Sequence, residues 1–338
     1  MKAQRHTLVI LGLLTTAAVM TGCDLFTSEK APRVEEIIIV GTQVPSDFQT
    51  THRFGLVALP LDDRGEAILS LDVQSEVTIE MPASIDASAR IEDVTEPSGR
   101  PLALALDIDA SGSMQDNDPT GARLSGAKAF VDVLAQSGTA FETAVFEYSG
   151  EGARLLQPFT GDVDSLRAAI DRIGSDGGTP TYQGLLQVLA VLDSEKPSSG
   201  FDRSIVLFSD GQPDDTDIGL REQVCATATT AEAPIYAIGL GPASDIDGND
   251  PTAVEEMRAI AECTGAAYTG IDPDDVEGST LLIFNNIGLA TSQGSIAFDV
   301  QLDGAELASL VEGTIVQGTL TITSGGTSAS APFSFRVP

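Results

Sequence analysis

PLALALDIDASGSM, residues 101–114, leaves an apolar run and turns at once into acids and hydroxyls. The apolar part ends at Asp107, Asp109, Ser111 and Ser113, with Gly112 permitting a tight bend. Comparable runs follow: FETAVFEY (141–148), RSIVLFSD (203–210) and PIYAIGLG (234–241). Nearly continuous apolar runs suit strands buried on both faces of a mostly parallel sheet. Between them apolar residues recur at helical spacing: Leu124, Ala127, Val131 and Leu134; Leu166, Ile170 and Ile173; Leu185, Leu189 and Leu192; Val254, Met257 and Ala261. Asp250 followed by Pro251 fits the start of the last of these helices, and Gly265 fits its stop. Strands alternating with helices predict a doubly wound, Rossmann-like α/β domain over residues 99–292. In that architecture ligands sit at the carboxyl edge of the sheet, which is where DIDASGSM lies.

Asp109-Ala110-Ser111-Gly112-Ser113 has the D-x-S-x-S pattern of a metal ion-dependent adhesion site (MIDAS), and through it the chain resembles the von Willebrand factor type A (VWA) domains. Gly177-Gly178-Thr179, ahead of a helix, resembles that family's threonine loop. Ser209-Asp210-Gly211, at a strand end, resembles its aspartate loop. Three pieces in the family's order are far more specific than any one alone. The resemblance implies that Ser111 and Ser113 coordinate a divalent cation directly and Thr179 directly or through water. Asp109 and Asp210 then act mainly through bridging waters and hydrogen bonds to the hydroxyls. Oxygen donors suit a hard ion, Mg²⁺ first, with Mn²⁺ or Ca²⁺ as alternatives. Neutral inner ligands leave the ion much of its charge, so an open position can accept a carboxylate from a protein partner. Asp107 has no assigned role and is expected on the sheet's other side. PDDTD (213–217) reads as a solvated rim near this edge. ASDIDGNDPTAVEE (243–256) has calcium-loop acids in Asp245, Asp247 and Asn249, with Glu256 further on. Gly248 breaks the EF-hand spacing, so it reads as a solvated loop and helix cap.

Both flanks have β texture. Leu69, Leu71 and Val73 alternate, as do Val77, Ile79 and Met81, and DDRG (62–65) supplies a turn. At the far end Ile296, Phe298, Val300 and Leu302 alternate, then Phe333, Phe335 and Val337. Segments 36–98 and 293–338 are expected to join as one immunoglobulin-like sandwich interrupted by the middle domain, with two separate small β modules as the alternative.

Residues 1–22 carry Lys2 and Arg5, then LVILGLLTTAAVM, then Thr21 and Gly22 before Cys23. This is the layout of a secretory signal, too short for a comfortable membrane span. VMTGC resembles the lipobox of bacterial lipoproteins, with Met20 where Leu is usual. The resemblance implies lipidation of Cys23, a polar tether over 23–35, and a lipid-anchored place in the cell envelope facing periplasm or exterior. Asp24 is associated in enteric-type sorting with the inner membrane.

The formal charge is −32 over 338 residues, and removing the leader takes away only positive charge. So acidic a surface repels nucleic acid and anionic headgroups. Membrane contact then reduces to the lipid. Hydrophobic residues make up 42%, which marks a folded chain. Cys225 and Cys263 are the cysteines left after Cys23, and export predicts a disulfide between them. His52 is the one histidine beyond the leader, so no His and Cys metal cluster can form.

Catalysis needs a positioned nucleophile or a base of tuned pKa. His52 lies in the β flank, far in sequence from the metal loops, and no Walker-type phosphate loop occurs. The expectation is a binding protein rather than an enzyme, one that holds a protein ligand through the cation. A metal-dependent hydrolase using Asp109 or Asp210 around an activated water is the alternative. A structural envelope scaffold with a degenerate site is another.

Overall fold

The computed structural model describes residues 31–95, 100–194, 200–211, 213–214, 218–244 and 250–338. The leader, Cys23, most of the 23–35 tether, and Asp245, Asp247 and Asn249 lie outside the described residues, as do 215–217.

The N-terminal flank holds β1 (Val34–Gln43), α1 (Phe48–Thr51), β2 (Arg53–Asp62), α2 (Val73–Glu76), β3 (Val77–Glu80) and β4 (Ile85–Thr95). The middle follows with β5 (Leu102–Asp109), α3 (Met114–Asn117), α4 (Ala122–Gln136), β6 (Phe141–Ser149), β7 (Gly152–Thr160), α5 (Val163–Ile170) and α6 (Thr181–Ser194). It continues with β8 (Asp202–Ser209), α7 (Ile218–Thr230), β9 (Ile235–Gly239), α8 (Pro251–Cys263), β10 (Tyr268–Gly270) and α9 (Val276–Gln293). The C-terminal flank is β11 (Ser295–Gly304), β12 (Ile315–Ser324) and β13 (Thr327–Arg336).

The expected doubly wound α/β domain is present. β10, β9, β8, β5 and β6 pair in parallel in that order, and β7 closes the edge antiparallel to β6. Every residue of β5 is buried, as its apolar run requires. Leu102, Leu104, Leu106 and Ile108 enter one core with Phe130 and Leu134 of α4, Ile170 of α5 and Phe284 of α9. Ala105 faces the other core with Leu185 and Val188 of α6, Val224 of α7 and Met257 of α8. Asp250 caps α8, its carboxylate accepting from the amides of Thr252 and Ala253. Glu256, read as part of the acidic loop, instead pairs with Arg221 of α7 at 3.0 Å and with Tyr182 of α6. A disulfide joins Cys225 of α7 to Cys263 of α8.

The two flanks come together as two β layers over one core. A three-stranded sheet, β13-β12-β3, does share a core with β1, β2, β4 and β11, in which Phe54 and Phe335 lie 4.5 Å apart between ring centres. The larger layer, however, continues the central sheet, giving ten strands in the order β4-β11-β2-β1-β10-β9-β8-β5-β6-β7. The joint is one pair, Thr42 with Tyr268. Gly41 makes it possible, since a Cβ there would fall 2.6 Å from the Tyr268 carbonyl oxygen. Leu69 and Leu71 pack on the flank core from irregular chain, and Val73 opens α2, so the alternation there encodes no strand.

Candidate metal centre

β5 and β8 are neighbouring parallel strands, so the loops at their carboxyl ends emerge side by side. Asp109 ends β5 and immediately folds the chain back on itself. Its Oδ1 accepts the Ser111 amide at 2.7 Å, an Asx turn that directs the next hydroxyls toward β8. Ser111 Oγ lies 3.1 Å from Ser113 Oγ, and Ser113 Oγ donates to Asp210 Oδ1 at 2.9 Å. Asp109, Ser111, Ser113 and Asp210 thus form one hydrogen-bonded row, joined through the Ser111 amide and the two serine hydroxyls. The second carboxylate oxygens are held from behind. Ser209 Oγ donates to Asp109 Oδ2 at 2.8 Å, Tyr148 Oη donates to the same atom at 3.1 Å, and Asn117 Nδ2 donates to Asp210 Oδ2 at 2.9 Å.

The loop carrying Thr179 is fastened to this row through backbone. The Gly112 amide donates to the Gly177 carbonyl at 2.9 Å, and the Asp176 amide to the Ala110 carbonyl at 2.7 Å. Gly177 has φ +97° and a Cβ there would meet the Gly150 amide at 3.0 Å, so glycine is needed for the crossing. The Thr179 amide donates to Asp214 Oδ2 at 2.6 Å, and the Asp214 amide returns to the Thr179 carbonyl at 2.9 Å. Asp214, from the stretch read as a solvated rim, therefore positions Thr179. The Thr179 hydroxyl enters none of the hydrogen bonds among the described residues and belongs to a nearly buried side chain. Behind the loops sits a buried ion pair. Arg123 Nη1 donates to Asp118 Oδ2 at 2.5 Å, and Arg123 Nη2 donates to the Gly174 carbonyl and to Ser175 Oγ, both at 2.8 Å. One guanidinium thus clamps the start of α4 to the segment leading into Thr179.

Burial dominates the electrostatics. The Asp109 carboxyl is pushed up to about 6, first by burial and then by the neighbouring charge of Asp210. Burial also raises Asp210, against the donors Asn117 and Ser113 and the positive field of Arg123. Asp107 was expected on the opposite face, but residues two apart on a strand share a face. It lies with Ala105 and Asp109, fully buried, with neither carboxylate oxygen hydrogen-bonded, and burial followed by the Asp109 charge raises it to about 8.

The donors suit a hard divalent cation. They are hydroxyl and carboxylate oxygens only, and two buried carboxylates that repel each other form an arrangement a positive ion relieves. Among the described residues no three acidic, histidine or cysteine side chains converge, so hydroxyls would make up the rest of any cage.

The family model of the von Willebrand factor type A domain matches residues 104–212, which contain Asp109, Ser111, Ser113, Thr179 and Asp210, while Asp214 lies just beyond it. Residues 104–212 carry a von Willebrand factor type A domain. Solved structures of similar fold include a von Willebrand factor type A protein from Catenulispora acidiphila, at 13% identity, TM-score 0.45, covering 92% of this chain and 74% of that one. The von Willebrand domain of the type V pili tip protein Mfa5 from Porphyromonas gingivalis is 14% identical, TM-score 0.44, covering 60% and 98%. The pilus adhesin SpaC from Lactobacillus rhamnosus GG in its open conformation is 14% identical, TM-score 0.45, covering 78% and 48%. No curated protein matches the chain.

Within this VWA domain the sequence brings forward Asp109, Ser111, Ser113 and Asp210, which the fold joins directly, and Thr179, which it joins through backbone. It does not single out Tyr148, Ser209, Asn117 or Asp214 as supports. Asn117 stands one helical turn after Ser113, a spacing that marks a shared face. Tyr148 reaches Asp109 from the adjacent strand β6, and nothing local signals it.

Proposed function

We propose that this VWA domain binds a protein ligand through a divalent cation, Mg²⁺ in the first instance. Ser111, Ser113 and Thr179 would hold the ion, with Asp109 and Asp210 supporting it. The observation that carries this reading is the hydrogen-bonded row from Asp109 through Ser111 and Ser113 to Asp210 at the carboxyl edge of the sheet. When bound, the ion supplies a positive centre that a partner's carboxylate can complete. Ser111 and Ser113 offer neutral oxygens, which leaves that charge largely unspent. Asp109 and Asp210 orient the hydroxyls, and Ser209, Tyr148 and Asn117 fix the carboxylates in turn. The site is one of recognition rather than turnover.

Cys23 would carry the lipid that fixes the domain in the cell envelope. No helix among the described residues is long and apolar enough to cross a membrane. Crosslinking of the protein to its neighbours in intact envelopes, with and without a chelator, tests the function. The expected result is a partner crosslinked only when the cation is present and lost in Ser111→Ala. A partner retained equally in chelator and in that variant overturns the reading. Turnover of a broad ester and phosphoester panel, lost in Asp109→Ala, would establish the hydrolase in its place.

A further inference from the structure

The joint between β1 and β10 opens into a groove of about 900 Å³. It lies four strands along the sheet from β5, about 19 Å at the usual strand spacing. After the single pair Thr42 with Tyr268, the chain beyond β10 turns away into α9, while β1 runs on alone on that side. Its other edge is paired to β2 along the whole strand. From Glu36 to Val40 the backbone therefore has no strand partner on the groove side among the described residues. The lining confirms which part of the strand is presented. Glu36, Ile37, Ile38 and Ile39 all line the groove in succession. Side chains alternate between faces, so only a strand's edge offers consecutive residues to one cavity.

The walls fit an added strand. On one side stands β13, the outermost strand of the small sheet, which starts beside β1 where Thr327 Oγ1 donates to the Val34 carbonyl at 2.8 Å. On the other stands α9, presenting Leu282, which is 56% exposed, one of few exposed large apolar side chains among the described residues. An extended segment laid along β1 would turn alternate side chains to Phe333 on the small-sheet side and to Leu282 and Ile283 on the helix side. Each charged residue in the lining, Glu36, Glu80 and Asp272, is acidic.

We propose that this groove binds an extended peptide segment of a partner protein, which adds as a strand to the free edge of β1 and carries alternating apolar residues with Lys or Arg among them. Main-chain hydrogen bonds supply affinity and the two walls supply selectivity. The acidic lining supplies the preference for basic segments. This surface is independent of the metal row.

A displayed library of random ten-residue peptides, selected against the purified full chain in the presence of chelator, tests the proposal. Selected peptides should alternate apolar residues and contain Lys or Arg. They should slow exchange about tenfold or more at the alternate amides of Glu36–Val40 that point away from β2. N-methylation at alternate peptide amides should abolish binding. The paired surface changes Glu36→Lys and Leu282→Lys should weaken it about tenfold without lowering the melting temperature. The proposal is overturned by a library that yields no binder, by binders indifferent to both variants, or by unchanged exchange at saturating peptide. Groove-facing amides of Glu36–Val40, those pointing away from β2, that are already protected in the free chain would also overturn it, since the edge would then be covered by the chain's own residues or by a second copy.

Discussion

Ser113 Oγ donates to Asp210 Oδ1 at 2.9 Å, joining residues 97 positions apart into one site. The contact exists because β5 and β8 are parallel neighbours that end together. Replacing Ser113 by Ala removes an oxygen donor and a bond to Asp210 at once. Ser113→Ala should weaken Mg²⁺ binding about tenfold or more, while costing only ~1 kcal/mol of stability. Calorimetric titration and thermal melts on the same samples separate the two effects.

Protons would compete with the proposed cation. Asp109, raised to about 6 by burial and by Asp210, holds a proton in the metal-free protein at mildly acidic pH. Metal affinity should be level above about pH 7 and should fall below about pH 6, up to about tenfold per pH unit. Stability of the metal-free protein should move the other way. The folded pKa lies above the unfolded one, so the cost of burying this carboxylate is relieved as pH drops from about 6 toward 4. Titrations and melts over pH 5 to 8, with chelator in the melts, check both signs.

Asp107 costs stability without entering the row. Its carboxyl is fully buried, makes no hydrogen bond and is raised to about 8. Folding at neutral pH must therefore bind a proton that the unfolded chain has released. Asp107→Val should stabilise the protein by ~2 kcal/mol or more at pH 8, with the gain shrinking toward pH 4, where the unfolded carboxyl also begins to take up its proton. Denaturant melts at the two pH values measure the difference.

Arg123 and Asp118 form the buried clamp behind the threonine loop. Removing one partner strands the other charge in the interior. Arg123→Met should cost ~3–5 kcal/mol, and should weaken the cation through the Gly174–Thr179 segment. Asp118→Asn, which keeps the capping oxygen for the Ala122 amide, should cost less. Paired melts and metal titrations of the two variants decide the order.

Much of this was legible in the sequence, for physical reasons. β5, β6, β8 and β9 are buried on both faces and therefore spell out apolar runs. β7 is a half-exposed antiparallel edge and β10 has three residues, so neither leaves a comparable run. The flanking strands alternate visibly, yet their fusion to the central sheet depends on the close approach at Gly41, which a period of two does not encode. In the site, Asp109, Ser111 and Ser113 stand within one short turn and are readable as a group. Tyr148 and Arg123 act across the fold, and only the arrangement of the strands and loops reveals them.

Calorimetric titration of the purified protein with MgCl₂ and MnCl₂ at pH 7.5 measures the central claim most directly. One ion should bind per molecule, with binding strongly weakened in Ser113→Ala, Thr179→Ala and Asp210→Ala while those variants keep a cooperative melt. Absence of binding in the natural sequence, or equal binding in all three variants, would contradict the account.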